Sequence, residues 1–173
     1  MQVTMYAAIS IDGFIAKPNG DSDWVSEVDT EYFQKAIEGS DCVIVGKRTF
    51  DQYKDELYPV PIKLNIVMTS QPPNSKSYEN VEFMSHEPIK VIEHLKSKGC
   101  QHVLIIGGGK TNYSFMNAGV VDNLIVDIHP IVLGDGIKLF SGAEMFREFE
   151  RLSTLELPEG LVQITLRKKQ NLN

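Results

Sequence analysis

Residues 102–116, HVLIIGGGKTNYSFM, run from an apolar stretch through three glycines, a lysine and a threonine into a helical pattern. The spacing misses both common phosphate loops: the NTPase loop would need a glycine at Leu104, and the dinucleotide fingerprint one at Asn112. A strand that enters a helix through glycines still gathers backbone N–H groups and the positive end of a helix dipole. The segment therefore predicts an anion site, for example for a pyrophosphate. A tight turn without a ligand is the alternative.

Three other groups of residues with similar chemistry also follow apolar, strand-like runs. In a mainly parallel sheet, ligands bind beyond the carboxyl ends of the strands, where such groups converge. Together they would supply lysine and arginine charge, hydroxyl groups and backbone N–H donors. The four groups are Ser10 to Ala16, Gly46 to Thr49, Thr69 with Ser70, and Gly107 to Thr111. An extended ligand with several phosphates would use all of them.

The elements that must position these groups follow from hydrophobic periodicity. Apolar runs predict strands at 3–10, 41–46, 64–70, 81–84, 102–107 and 122–134, the last interrupted at Pro130. Helices are predicted at 28–38, 47–53, 88–98 and 111–118, and a Pro- and Ser-rich surface loop at 71–77. The segments RLSTLEL and LVQITLR alternate around a Pro-Glu-Gly turn, which predicts an antiparallel hairpin at a sheet edge. We expect one α/β domain over residues 1–173, with a mixed, mainly parallel sheet flanked by helices.

Composition excludes several classes of protein. The net charge of −6 opposes binding to nucleic acid or to an anionic membrane, and no apolar run is long enough to span a bilayer. The first residues carry no basic leader, so a cytoplasmic location is expected. Cys42 and Cys100 lack CxxC spacing and are predicted to be free thiols. The four histidines are scattered without ligand spacing, so no metal site is predicted.

Seven segments occur in the order and approximate spacing of the dihydrofolate reductase-like three-layer fold. They are AAISIDGFIA, DW, DTEYF, VGKRTF, NIVMTSQP, IIGGGKT and LGDGIKLF, and they cover nearly the whole chain. The sequence most resembles the branch that contains the reductase domain of the bifunctional riboflavin-biosynthesis deaminase-reductase. No deaminase zinc motif is present, so the resemblance implies the reductase step alone.

This resemblance implies NADPH as the cofactor. Ala8, Ile15 and Ala16 match positions that line the nicotinamide, and the turn from Gly46 to Thr49 matches one that holds the phosphates. Lys47, Ser70 and Lys110 match places that meet the adenosine 2′-phosphate, while the glycine turn supports the pyrophosphate. The implied cofactor-binding residues are Ala8, Ile15, Ala16, Gly46, Lys47, Arg48, Thr49, Thr69, Ser70, Gly107, Gly108, Gly109, Lys110 and Thr111.

Asp29 matches the carboxylate that orients the substrate and assists its protonation in folate reductases, which implies a catalytic role. The pattern Ser26-x-x-Asp29 also resembles a capping box, so Asp29 could be only a helix cap. Phe33 and Trp24 are the other predicted substrate-binding residues, with a core phenylalanine and a hydrophobic lid as their alternatives. Lys63 stands near the arginine that holds the folate glutamate, but an exposed loop charge is the favoured interpretation.

We therefore expect an NADPH-dependent oxidoreductase that acts on a small-molecule heterocycle. The first candidate substrate is 5-amino-6-(5-phosphoribosylamino)uracil, although the only basic residue from 24 to 41 is Lys35. Dihydrofolate is the alternative, followed by another small heterocycle or carbonyl compound. A noncatalytic nucleotide-binding protein is a further possibility. The resemblance and the apolar late strands also imply a homodimer.

Overall fold

The computed structural model describes residues 1–61, 63–73 and 78–169, so part of the predicted 71–77 loop lies outside the described residues. The main sheet contains eight strands. They are β1 (Gln2–Ser10), β3 (Cys42–Gly46), β4 (Leu64–Met68), β5 (Val81–Met84), β6 (His102–Ile105), β7 (Asn123–His129), β9 (Phe149–Glu156) and β10 (Val162–Lys168). Two short strands, β2 (Phe14–Ala16) and β8 (Ile137–Lys138), pair separately.

The strand order is β5-β4-β3-β6-β1-β7-β10-β9, and the first six strands are parallel. The carboxyl ends of these six strands therefore lie along one edge of the sheet, as the sequence predicts.

β7 ends at His129, immediately before Pro130, which cannot donate a backbone hydrogen bond. β10 runs antiparallel to both β7 and β9, which confirms the predicted hairpin at the sheet edge.

Four helices cover the two faces of the sheet: α1 (Glu27–Glu38), α2 (Lys47–Gln52), α3 (Pro88–Ser97) and α4 (Gly109–Asn117). Proline in the first turn of α3 suits a helix start, because its missing N–H has no intrahelical acceptor there. α1 starts one residue before its predicted start at 28. α4 starts two residues before its predicted start at 111, so its first residue belongs to the glycine turn.

Two hydrophobic cores make the fold a three-layer structure. Alternate residues of β3 point to opposite faces, so Ile44 packs into the core under α3 and α4 while Val43 packs into the core under α1 and α2. Both side chains are fully buried. This arrangement explains the continuous apolar run at 41–46 and confirms the predicted mixed, mainly parallel α/β sheet.

The prediction of free thiols is wrong, because Cys42 and Cys100 form a disulfide. Cys42 begins β3 and Cys100 lies two residues before β6, the neighbouring parallel strand. Their Cα atoms are 6.5 Å apart, within the range that a disulfide can join. The CxxC pattern reports only closely spaced cysteines, whereas this pair is brought together by the pairing of β3 with β6.

Among the described residues, no helix combines the length and the apolar character that crossing a bilayer requires.

Candidate active site

A cleft with a volume of about 890 Å³ opens at the carboxyl ends of the parallel strands. All fourteen residues predicted to bind the cofactor line this cleft, as do Asp29 and Phe33. The strand ends therefore bring together residues that are more than a hundred positions apart in the sequence. Whether each of them contacts a ligand stays a prediction.

The glycine turn, Gly107 to Gly109, lines the part of the cleft that contains the predicted cofactor residues, the cofactor half. Gly107 has a φ of +103°, a backbone conformation that favours glycine, and Gly108 caps the start of α4. A side chain at Gly109 would collide with the carbonyl oxygen of Lys138 and with Ser141 Oγ. The first N–H groups of α4 have no intrahelical acceptors, so they suit an anion in the cleft.

A second turn, from Gly46 to Thr49, packs closely against the glycine turn. Gly46 donates a backbone hydrogen bond of 2.8 Å to the carbonyl oxygen of Gly107. A Cβ atom at Gly46 would lie 2.7 Å from Thr111 Oγ1, and one at Gly108 would lie 3.0 Å from Thr49 Oγ1. The two turns fit closely because Gly46 and Gly108 lack side chains, and the starts of α2 and α4 consequently face the same cleft.

Two of the three cations that line the cleft are engaged with neighbouring groups. Lys47 forms an ion pair with Asp51 one turn along α2, and Arg48 donates a hydrogen bond of 3.2 Å to the Asn19 carbonyl oxygen. Lys110 is exposed at the start of α4. These three side chains line the same cleft as Thr69 and Ser70, so the lining combines positive charge with hydroxyl groups, as a phosphate site would need.

The part of the cleft lined by Tyr6, Asp29 and Phe33, the substrate half, contains a buried carboxyl group. Ser26 is the N-cap of α1 and its hydroxyl accepts the backbone N–H of Asp29 at 3.2 Å. The Asp29 side chain instead points to Tyr6, whose Oη lies 3.0 Å from Asp29 Oδ1. Ser26 therefore does the capping, and the Asp29 carboxyl, only 3% exposed, is available for another role.

The environment of Asp29 favours its protonated form. Burial and, to a smaller extent, the nearby Asp127 raise the pKa of Asp29, whereas the hydrogen bond with Tyr6 lowers it. The net result is a pKa of about 8. A carboxylic acid that keeps its proton near neutral pH can act as a general acid. This wall of the cleft can therefore hold and release a proton.

The model of the RibD C-terminal domain family matches residues 1–63 and 62–163. The chain belongs to this family. The uncharacterized protein YwjB of Bacillus subtilis (strain 168) is 31% identical over 144 residues, which cover 80% of this chain and 82% of YwjB. A solved structure from Shewanella sp. PV-4, whose name places it provisionally in riboflavin biosynthesis, is 27% identical with a TM-score of 0.84; the match covers 98% of this chain and 100% of that one.

The riboflavin biosynthesis protein RibD of Corynebacterium ammoniagenes is 29% identical over 154 residues, or 80% of this chain. The match covers only 46% of that protein, so the chain corresponds to about half of RibD. These matches confirm the resemblance to the reductase domain of the deaminase-reductase and the dihydrofolate reductase-like fold.

Of the predicted substrate residues, Phe33 lies on the cleft wall of this RibD C-terminal domain fold and Trp24 does not. Phe33 lines the cleft and packs against Tyr6, with ring centroids 5.4 Å apart. Trp24 is not on the cleft wall; its indole packs edge-on against His129 at 5.1 Å, and Val25 lines the cleft instead. The loop before α1 thus turns the indole toward the end of β7, which favours the lid alternative for Trp24.

Lys63 lies at the opposite end of the sheet from the cleft. Its Nζ donates hydrogen bonds to the carbonyl oxygens of Glu38 and Ser40 at the end of α1. A cation at this position satisfies carbonyl groups that have no intrahelical donor and complements the helix dipole. The favoured interpretation as an exposed loop charge therefore needs correction, because Lys63 caps α1.

Sequence reasoning missed Tyr6 and Asp127, which join Asp29 in one buried cluster. Tyr6 lines the cleft, and its Oη lies 2.5 Å from Asp127 Oδ2. Asp127 is fully buried in the centre of β7. A signal was present, since an aspartate inside the apolar run NLIVDIH is rare unless it has a specific partner.

The loop that contains Gly20 and Ser22 borders the cleft, and hydrogen bonds with Gln52 of α2 and with Tyr53 fix its position. Gln52 Nε2 donates to the Gly20 carbonyl oxygen at 2.7 Å, and the hydroxyls of Ser22 and Tyr53 lie 2.7 Å apart. Gly20, Ser22, Gln52 and Tyr53 all line the cleft. These bonds therefore set the shape of the cleft on the side of the loop.

The substitution Gln52→Ala is expected to loosen this loop and to weaken NADPH binding about threefold to tenfold, the equivalent of about one lost hydrogen bond. Titration calorimetry with NADPH would measure the change. Gln34→Ala is the matched control, because Gln34 is an exposed glutamine of α1 whose side chain bonds to Glu38 on the same helix. Equal affinities for the two variants would contradict a role for the loop in binding.

Proposed function

We propose that this protein is an NADPH-dependent reductase of a small heterocyclic substrate. One observation carries the proposal: all fourteen residues implied for the cofactor line a single cleft that also contains the buried acid Asp29. The membership of the RibD C-terminal domain family supports an oxidoreductase of this type. The first candidate substrate is 5-amino-6-(5-phosphoribosylamino)uracil.

The cleft fits an elongated cofactor with phosphate groups. A side chain at Gly46 or Gly108 would meet the hydroxyl of Thr111 or Thr49, and one at Gly109 would meet Lys138 and Ser141, so glycine allows the helix starts beside the cleft to pack this closely. Lys47, Ser70 and Lys110 would hold the 2′-phosphate, which distinguishes NADPH from NADH. Ala8, Ile15 and Ala16 would line the nicotinamide end.

NADPH, when bound, supplies a hydride. A hydride that adds to the carbon of a C=N bond leaves an electron pair on the nitrogen, which then needs a proton. Asp29 lines the same cleft as the glycine turns, and its raised pKa favours the protonated form at neutral pH. Phe33 and Tyr6 provide flat side chains beside it for a planar ring.

Dihydrofolate is a second candidate substrate. A buried carboxyl group in the first turn of α1, with Phe33 one turn further on, favours a flat ring that presents hydrogen-bond donors. The ribosylaminopyrimidine also carries a phosphate, which needs cations on the substrate side of the cleft. The two candidates therefore differ in a group that an assay can test directly.

The proposal is tested by measuring NADPH and NADH binding by calorimetry, and then NADPH oxidation with each candidate substrate. We expect NADPH to bind at least about tenfold more tightly than NADH, because the 2′-phosphate adds charge-assisted contacts. Turnover of only one of the two candidates would identify that compound as the substrate. Binding without turnover would support a noncatalytic nucleotide-binding protein, and no binding would contradict the proposal as a whole.

We further propose that the protein forms a homodimer through its C-terminal edge. β9 is the last strand of the sheet, and its Leu152 and Leu155 side chains are 49% and 44% exposed. An edge strand with exposed leucines offers unpaired backbone groups and apolar surface to a second copy. Light scattering should give twice the chain mass of 19.4 kDa, and 19.4 kDa at all concentrations would contradict the dimer.

A further inference from the structure

Three ionisable side chains from three different elements meet behind the substrate half of the cleft. Tyr6 from β1 lies between Asp29 from α1 and Asp127 from β7. Their exposed fractions are 4%, 3% and 0%, respectively. Tyr6 and Asp29 line the cleft, whereas Asp127 is enclosed behind Tyr6. Asp127 Oδ2 bonds to Tyr6, and among the described residues Asp127 Oδ1 has no hydrogen-bond partner.

The number of hydrogens in this cluster limits its charge. A phenol has one hydrogen to donate, and an ionised carboxylate has none. The Tyr6 hydroxyl lies within hydrogen-bond distance of both carboxyl groups, so one contact is a hydrogen bond from Tyr6. The other contact is favourable only if the second carboxyl group carries a proton and donates it to Tyr6. The cluster therefore holds at least one carboxylic acid.

The two distances indicate which carboxyl group is protonated. The distance of 2.5 Å between Tyr6 and Asp127 is typical of a hydroxyl that donates to a carboxylate. The distance of 3.0 Å between Tyr6 and Asp29 is that of a weaker, neutral bond. This assignment gives a chain in which the Asp29 acid donates to Tyr6 and Tyr6 donates to the Asp127 carboxylate.

We propose that Asp127 is a positioning residue whose buried charge, acting through Tyr6, keeps the cleft-facing Asp29 protonated for transfer to the substrate. This inference rests on the proposed reductase function. In the step it serves, the hydride and its electron pair form a bond to carbon, and the C=N π pair moves to nitrogen. Nitrogen takes the proton of Asp29, which becomes a carboxylate and regains a proton from water in the cleft.

The groups around the cluster are consistent with this role. Burial raises the pKa of Tyr6, so the phenol stays neutral and keeps both of its hydrogen bonds. Burial lowers the pKa of His129, two residues along β7, so this imidazole is neutral at neutral pH. On the neighbouring β10, Gln163 stands opposite Asp127 and adds no charge. The charge that acts on Asp29 is then that of Asp127.

The test is a pH titration of the aspartate carboxyl groups by ¹³C NMR on the whole protein labelled at aspartate. Asp29→Asn and Asp127→Asn assign the two signals by their loss. In the unaltered protein we expect Asp29 to titrate near 8. In Asp127→Asn its pKa should fall by about one pH unit or more, because the opposing charge is gone. The high-pH limb of turnover should move to lower pH with it.

Asp122→Asn is the matched control, because Asp122 precedes the same strand but accepts the backbone N–H of Val3, far from the cleft. It should leave the Asp29 titration unchanged. Tyr6→Phe is the second variant and serves if Asp127→Asn does not fold. Without the phenol, the two carboxyl groups lose the hydroxyl that joins them, so the pKa of Asp29 should change and turnover at neutral pH should fall about tenfold or more.

An Asp29 pKa that is the same in the unaltered protein, Asp127→Asn and Tyr6→Phe would overturn the inference, whatever the turnover. An Asp29 signal that already titrates near 4 in the unaltered protein, the ordinary range of an aspartate, would overturn it as well. A protein that binds no NADPH would refute the proposed function instead, and the titration would still locate the proton.

Discussion

The substitution Asp29→Asn should lower turnover by about two to four orders of magnitude and leave the affinity for NADPH within about twofold. Asparagine has nearly the same shape and can still bond to Tyr6, so the cleft should keep its form. An amide cannot release a proton at neutral pH, however, and the reduced nitrogen would have to take its proton from water. The loss should therefore appear in kcat rather than in cofactor binding.

Turnover and NADPH affinity would be measured side by side, by NADPH oxidation and by calorimetry. Glu31→Gln is the control, since Glu31 is an exposed acidic residue on the same helix. Nearly full turnover in Asp29→Asn would contradict the role of Asp29 as the acid. A parallel loss of NADPH affinity would instead show that Asp29 maintains the structure of the cleft.

The substitution Gly109→Ala should have the largest effect on cofactor binding. The added methyl group would overlap the carbonyl oxygen of Lys138, which is part of the backbone and cannot rotate away. The start of α4 would have to move away from Lys138 and Ser141, and we expect NADPH affinity to fall at least about tenfold. The free energy of unfolding should decrease by about 1–3 kcal/mol, the usual result of overpacking.

Calorimetry with NADPH and chemical denaturation would measure these two effects. The matched control is Gly39→Ala at the end of α1, where φ is −73° and the added methyl group would be 3.5 Å from its nearest neighbour. This control should change neither quantity by much. Unaltered NADPH affinity in Gly109→Ala would show that the glycine turn does not approach the cofactor.

The fold and the cofactor half of the cleft could be predicted because their signals are local. The run DCVIVG is apolar at successive positions, as a strand covered on both faces requires, and the glycines of IIGGGKT mark a strand that turns into a helix. Parallel pairing then places the ends of such strands together without further information. The convergence of the four groups of residues at the strand ends follows from this rule, whereas their assignment to a cofactor rests on the resemblance.

The acid cluster could not be predicted, because it depends on which strands are neighbours and on their register. Ala8 pairs with Asp127 only because β1 lies beside β7, and this register brings the Tyr6 hydroxyl to the buried carboxyl group. The disulfide depends in the same way on the pairing of β3 with β6. The direction of the Trp24 indole is set by its packing on His129, which no local pattern encodes.

The central position of β1 has a consequence for folding. β1 is the first strand of the described sequence to leave the ribosome, yet its partners β6 and β7 begin at His102 and Asn123. The Val3 N–H, for example, bonds to Asp122, which is 119 residues away. Until β6 and β7 have been synthesised, the apolar β1 has neither neighbour, so we expect folding of this domain to be slow, with β1 as a chaperone-binding segment in the nascent chain.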